Sequence, residues 1–174
     1  MIRAICGVLT ALCVAVLLAA LSTTVRTSGG ETIKISDACD PATFNAGIAP
    51  GTCVGDGDVT LAAFSAEFGA TGQVEDWEFD PSSEHVDAGD AIRAENEGGE
   101  THTFTQVAAF GGGIVQQLNK FAGDRRQECL ALGPTDFVPP GGRSASKTLP
   151  AGTYKFQCCI HPWMHATITV GDRR

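Results

Sequence analysis

At 174 residues the chain has room for one domain of ordinary size with additions, and not for two full ones. Twelve Lys and Arg against twenty Asp and Glu give a formal charge of -8. That balance argues against nucleic acid or an anionic membrane surface as a partner, since both would repel it.

The first signal along the chain is N-terminal. After Arg3, residues 4–21 carry no charge and are almost wholly apolar, then give way to Ser22-Thr23-Thr24. A positive start, an apolar middle and small residues afterwards describe a secretory signal over residues 1–26, with Ala20-Leu21-Ser22 as a cleavage site. The run is nearly long enough to span a bilayer, so an uncleaved membrane anchor through residues 4–21 is the alternative. Leu12, just before Cys13, is too bulky for lipoprotein processing. Either way the folded part is expected outside the cytoplasm: secreted, periplasmic, or anchored to the outer face of the cytoplasmic membrane.

Residues 27–72 are small, polar and Gly-rich, and read as an N-terminal extension laid against the main domain. Asp58 is expected to cap a short helix in which Leu61, Phe64 and Phe68 share a face, ending near Gly69. From residue 73 to 174 the texture changes to short strand-like runs at 77–79, 91–96, 101–107, 144–149, 153–158 and 166–170, divided by Gly, Pro and Asp. Runs at this spacing predict an antiparallel β-sandwich or barrel. Residues 108–137 interrupt the series and read as an ordered loop held by Cys129.

Seven cysteines are present, of which Cys6 and Cys13 belong to the signal, leaving five. In an oxidising compartment an odd number implies one thiol with a separate task. If that thiol is Cys158, four remain for two disulfides. Cys39 with Cys53 is the short-range pairing, leaving Cys129 for Cys159, although four cysteines allow three connectivities.

The chemistry concentrates in Tyr154-Lys155-Phe156-Gln157-Cys158-Cys159-Ile160-His161-Pro162-Trp163-Met164. Strand side chains alternate, so Tyr154, Phe156 and Cys158 face the apolar side while Lys155 and Gln157 face away. Cys158 thus arrives at the end of a strand, with His161 and Met164 in the loop that follows. Thiolate and thioether are soft ligands, and two histidines, one cysteine and a weak axial methionine form the donor set of a blue copper site. His102, in Thr101-His102-Thr103-Phe104, shares parity with an apolar neighbour and is the candidate second histidine. The predicted metal ligands are therefore His102, Cys158, His161 and Met164, holding one type 1 copper ion. Trp163 is expected to shield the metal, and His85 and His165 to lie at the surface.

The pattern Cys-x-x-His-Pro-x-Met followed by a final strand resembles the plastocyanin and azurin group of cupredoxins, with a short ligand loop similar to that of amicyanin. The run Asp90 to Asn96, followed by Thr101-His102-Thr103, is similar to that family's approach to its first histidine ligand. The resemblance covers roughly residues 77–170. It implies an all-β, Greek-key cupredoxin-like sandwich that binds copper and transfers electrons without being an enzyme. Cys159 and the insert at 108–137 depart from the pattern.

Ligand counting excludes rivals. With four histidines in all, no second histidine-rich cluster can be built, so a multicopper oxidase is excluded. Adjacent Cys158 and Cys159 are badly placed to bridge two coppers, and zinc would leave Met164 idle. The expected protein is a monomer that meets a redox partner near His161, Pro162 and Trp163. The alternatives are a copper-delivery protein and a metal-free interaction module.

Overall fold

The structure is a computed structural model and describes residues 30–172. The signal or anchor expected over residues 1–26, with Cys6 and Cys13, lies outside the described residues. Ten strands and three helices are labelled in chain order: β1 Gly30–Ser36, α1 Pro41–Gly47, α2 Leu61–Thr71, β2 Glu78–Asp80, β3 Ser83–Val86, β4 Ala91–Asn96, β5 His102–Thr103, β6 Thr105–Val107, α3 Gln127–Leu130, β7 Phe137–Val138, β8 Lys147–Thr148, β9 Gly152–Gln157 and β10 His165–Val170. No helix among the described residues is long and apolar enough to cross a membrane.

The architecture is the expected all-β sandwich. One sheet runs β2-β1-β4-β8 and the other β3-β10-β9-β6, with β5-β7 as a separate ribbon. Each sheet contains one parallel pair, β1 with β4 and β3 with β10, and the remaining pairs are antiparallel. Period-2 alternation builds the core. Ile33 and Ile35 of β1 and Ile92 and Ala94 of β4 meet Phe156 of β9 and Ala166, Ile168 and Val170 of β10 in one apolar cluster.

The N-terminal segment is more than an extension. Its β1 is an inner strand of the first sheet, in register with β4 from Gly30–Ala91 to Ile35–Asn96. The helix over residues 61–71 starts two residues later than the sequence suggested. Thr60, rather than Asp58, is the N-cap, its hydroxyl accepting the N–H of Ala63, and Gly72 closes the helix in a left-handed conformation. Phe64 and Phe68 are its buried residues, and Leu61 packs at the margin of the core.

Among the described residues the cysteines pair as Cys39–Cys53 and Cys129–Cys159, leaving Cys158 free. The second bridge fastens the insert to the outer face of β9. Gln157, expected to face away from the core, is fully buried there. Its amide donates to Gly111 O (2.9 Å) and accepts from Gly111 N–H (3.0 Å). Gly113 lies so close that a Cβ would overlap the carbonyl of Cys159. Gly113→Ala should therefore push the insert off β9 at a cost of about 1–3 kcal/mol, measured as a lowered denaturation midpoint. The denatured, unreduced and metal-free protein lacking residues 1–26 should titrate as a single thiol. Three thiols would contradict the pairing.

Candidate metal centre

Cys158 reaches the site because β9 ends one residue before it, between β10 and β6. The chain then closes a tight loop. Cys158 N–H donates to Met164 O (3.0 Å) and Met164 N–H to His161 O (3.0 Å). His102 comes from the other direction. The chain pairs with β7 at His102–Val138 and Thr103–Phe137, then changes sheet at Phe104 to pair with β9 through Thr105–Gln157. That crossing carries His102 over the end of the sandwich. Phe104 anchors it by stacking on Phe156, with centroids 4.3 Å apart.

Three of the four predicted ligands therefore converge. His102 Nδ1 lies 3.2 Å from His161 Nδ1, and Cys158 Sγ lies 3.7 and 3.9 Å from these two nitrogens. A first-row metal bound at about 2.0–2.1 Å to nitrogen and about 2.3 Å to sulfur spans such separations. Met164 is buried in the adjoining core, its backbone tied to both Cys158 and His161.

The sulfur is held as an anion would be. The N–H groups of Thr103 (3.5 Å) and His161 (3.4 Å) point at Cys158 Sγ. Burial works against its thiolate, yet hydrogen bonds and charge from His102 and His161 hold its pKa well below the ordinary thiol value. Burial likewise disfavours a charged His102, but Asp37 and Cys158 push its pKa up to about 9. Thr103 is buried because its hydroxyl accepts the N–H of Cys159 at 2.7 Å, which fixes the strand crossing to the ligand loop.

Two carboxylates stand behind the histidines, and neither was singled out in the sequence. Asp37 Oδ2 lies 2.9 Å from His102 Nε2. For Asp37, burial acts to raise the pKa, but His102 and the backbone N–H groups of Glu100 and Cys39 hold it below the usual carboxylate range. Glu100 Oε2 accepts the Trp77 indole N–H (2.7 Å) and lies 3.5 Å from His161 Nε2. Burial pushes the Glu100 pKa up, opposed by His161 and Trp77.

His161 was expected near the surface, with Pro162 and Trp163 beside it. It is instead only 4% exposed, and Pro162 is buried too. The physical reason is α2: Phe64 sits over His161 with ring centroids 6.4 Å apart, Trp163 closes another side at 5.5 Å, and Phe68 packs on Trp163 at 5.1 Å. His161 and Glu100 do reach a cleft of about 380 Å³ whose walls include Phe44, Ile48, Phe64 and Leu118. His85 and His165, expected at the surface, are each half-buried. His85 Nε2 lies 2.9 Å from Gly171 O, and the His165 ring stacks on Phe110 at 3.9 Å.

No protein-family model matches the chain, and no curated protein matches it. Among solved structures it is similar to a purple cupredoxin from Nitrosopumilus maritimus, at 18% identity and a TM-score of 0.42, covering 80% of this chain and 97% of that one. It is also similar to mutant amicyanins, one in the Cu(I) form and one in the reduced state. These are 18% and 22% identical, each with a TM-score of 0.37 and covering 53% of this chain and 72% of the other.

Phe64→Ala should uncover the His161 ring at a cost of about 3–5 kcal/mol. In the metal-free protein, diethylpyrocarbonate is expected to modify His161 in the variant and spare it in the wild type, as mapped by peptide mass. Equal modification of both would mean that Phe64 does not cover the ring.

Proposed function

We propose that the chain binds one copper ion in a type 1 (blue) site and carries electrons between redox partners. The observation that carries this reading is the convergence of a buried, free thiol with two imidazole Nδ1 atoms. A copper ion would be held by His102, Cys158, His161 and Met164, and would supply a one-electron couple. The residues around it do the rest. The N–H groups of Thr103 and His161 steady the thiolate, the crossing at Phe104 and the loop at 158–164 fix the imidazoles, and Phe64 and Trp163 keep water away.

The reading is of a carrier rather than an enzyme. A thiolate beside an imidazolium is also what a nucleophilic cysteine uses, but Cys158 is wholly buried, which is poor placement for attack on a substrate. Copper delivery is disfavoured by the same closure, since both histidines are also buried. The metal-free module needed Cys158 in a disulfide, and it is free. Two buried disulfides fit an oxidising, extracytoplasmic compartment. The partner is proposed to dock on the Trp163 side, where Phe121 is 51% exposed and packs edge-on against Phe68. That shifts the docking patch away from His161 and Pro162.

Cupric ion added to the protein lacking residues 1–26 should produce an intense visible thiolate-to-copper charge-transfer band at one copper per chain. Cys158→Ser should abolish the band, and an unchanged spectrum in that variant would reject the assignment. Met164→Gln should keep the copper and lower the reduction potential, because an amide oxygen is a harder donor than a thioether and favours the cupric state. Loss of all copper in that variant would mean that Met164 is more than a weak ligand.

A further inference from the structure

The carboxylate behind His102 belongs to neither strand that supplies the site. Asp37 follows β1, separated from His102 by 65 positions in sequence. Its Oδ2 accepts from His102 Nε2 (2.9 Å) and from the backbone N–H of Glu100 (2.9 Å), while its Oδ1 accepts the N–H of Cys39 (3.2 Å). The side chains of Asp37 and His102 are both wholly shielded from solvent. The surroundings are shaped to the carboxylate. A Cβ at Gly98 would overlap the Asp37 carboxylate, and one at Gly99 would come within 2.7 Å of Cys39 Sγ. Residues 97–100 therefore close over Asp37 only because both positions are glycine. Two residues further on, the Cys39–Cys53 bridge pins the same turn.

We propose that Asp37 is a positioning residue of the metal centre, keeping the proton of His102 on Nε2 so that Nδ1 faces the metal, and favouring the more oxidised ion through its fixed negative charge. This rests on the copper reading above. A ligating histidine whose other nitrogen donates to a carboxylate has one tautomer and a more basic ligand atom. An oxidised centre carries one more positive charge than a reduced one, so a buried anion at hydrogen-bond distance from the ligand stabilises it selectively. Glu100 stands less closely behind His161, at 3.5 Å, and its Oε2 is already engaged by Trp77.

The test compares copper-loaded wild type with Asp37→Asn and Asp37→Ala. Asn keeps an acceptor for His102 and removes the charge, whereas Ala removes both. Asp37→Asn should lower the ratio of cupric to cuprous affinity about tenfold, an upward shift in midpoint potential of about 59 mV for one electron. Asp37→Ala should also weaken cobaltous ion binding by roughly 10–100-fold. Glu97→Gln, which removes an exposed carboxylate paired with Lys34, should move neither. If the Asp37 variants fail to fold, the wild type decides: the cuprous protein should show a slowly exchanging Nε2 proton on His102 by nitrogen-resolved NMR. A copper protein whose potential ignores Asp37→Asn, or whose His102 carries no Nε2 proton, overturns the proposal alone. A wild type that binds no copper overturns the copper reading and the proposal with it.

Discussion

A buried anion has to be compensated on the spot, and Cys158 imposes that demand on its whole end of the sandwich. Its sulfur is cut off from water, and an ion moved into protein without partners costs several kcal/mol. Compensation comes from four directions: two backbone N–H groups and two imidazoles. They come from two separate pieces of chain. Thr103 and His102 arrive on the strand crossing, while His161 arrives on the ligand loop. The hydroxyl of Thr103 then bonds the crossing to Cys159, so the two pieces cannot drift apart. The bistrand geometry at Phe104 and the loop from 158 to 164 are best understood as the means of meeting that demand. A metal cation at the same point would complete it, which is why the donor set and the thiol's low pKa belong to one argument.

A second shell of constraint follows from the first. Two buried imidazoles each have a nitrogen facing away from the sulfur, and an unpaired buried polar group is expensive. The chain answers with Asp37 and Glu100. Glu100 in turn satisfies the indole N–H of Trp77, whose ring packs between Phe44 and Phe64. The aromatic cluster under α1 and α2 is thereby linked to His161 through Glu100 as well as through Phe64, so that packing of the helices and polarity of the site are decided together.

The juxtaposition of Cys158 with His161 was legible because its signals are local. Cys158, His161 and Met164 lie within seven residues, strand parity says which side chains turn inward, and the odd cysteine picks out itself. The short strands around them were legible for the same reason, through turn residues and period 2. What could not be read is what depends on distant pairing. Asp37 is one aspartate in a polar stretch, and nothing in its neighbourhood announces a partner at His102. The alternation Thr32-Ile33-Lys34-Ile35-Ser36 was a strand signal of ordinary strength, but it stands inside a Gly-rich segment and its pairing is with β4, some sixty residues away. Gln157 obeyed parity and still ended buried, because the insert covers the outer face of β9. His161 was misplaced at the surface because amphipathic spacing shows that Phe64 and Phe68 will be buried, and says nothing of what they will cover.

The same N-terminal segment thus contributes two things that act on each other. Its helix α2 lays Phe64 and Phe68 over the site and dries it. Its turn after β1 delivers the carboxylate of Asp37. Neither would count for much alone, since a carboxylate in water is screened and an apolar lid carries no charge. Electrostatic energy scales inversely with the effective dielectric, so excluding water magnifies whatever fixed charge remains inside. Covering His161 therefore strengthens the influence of Asp37 on His102, even though lid and carboxylate touch different histidines. The cost of the arrangement is access, because the covered His161 ring is left only the cleft that it lines with Glu100. On the proposed electron-carrier reading, one route through the cover runs by ring contacts from His161 to Trp163, Phe68 and Phe121, the last ring half exposed.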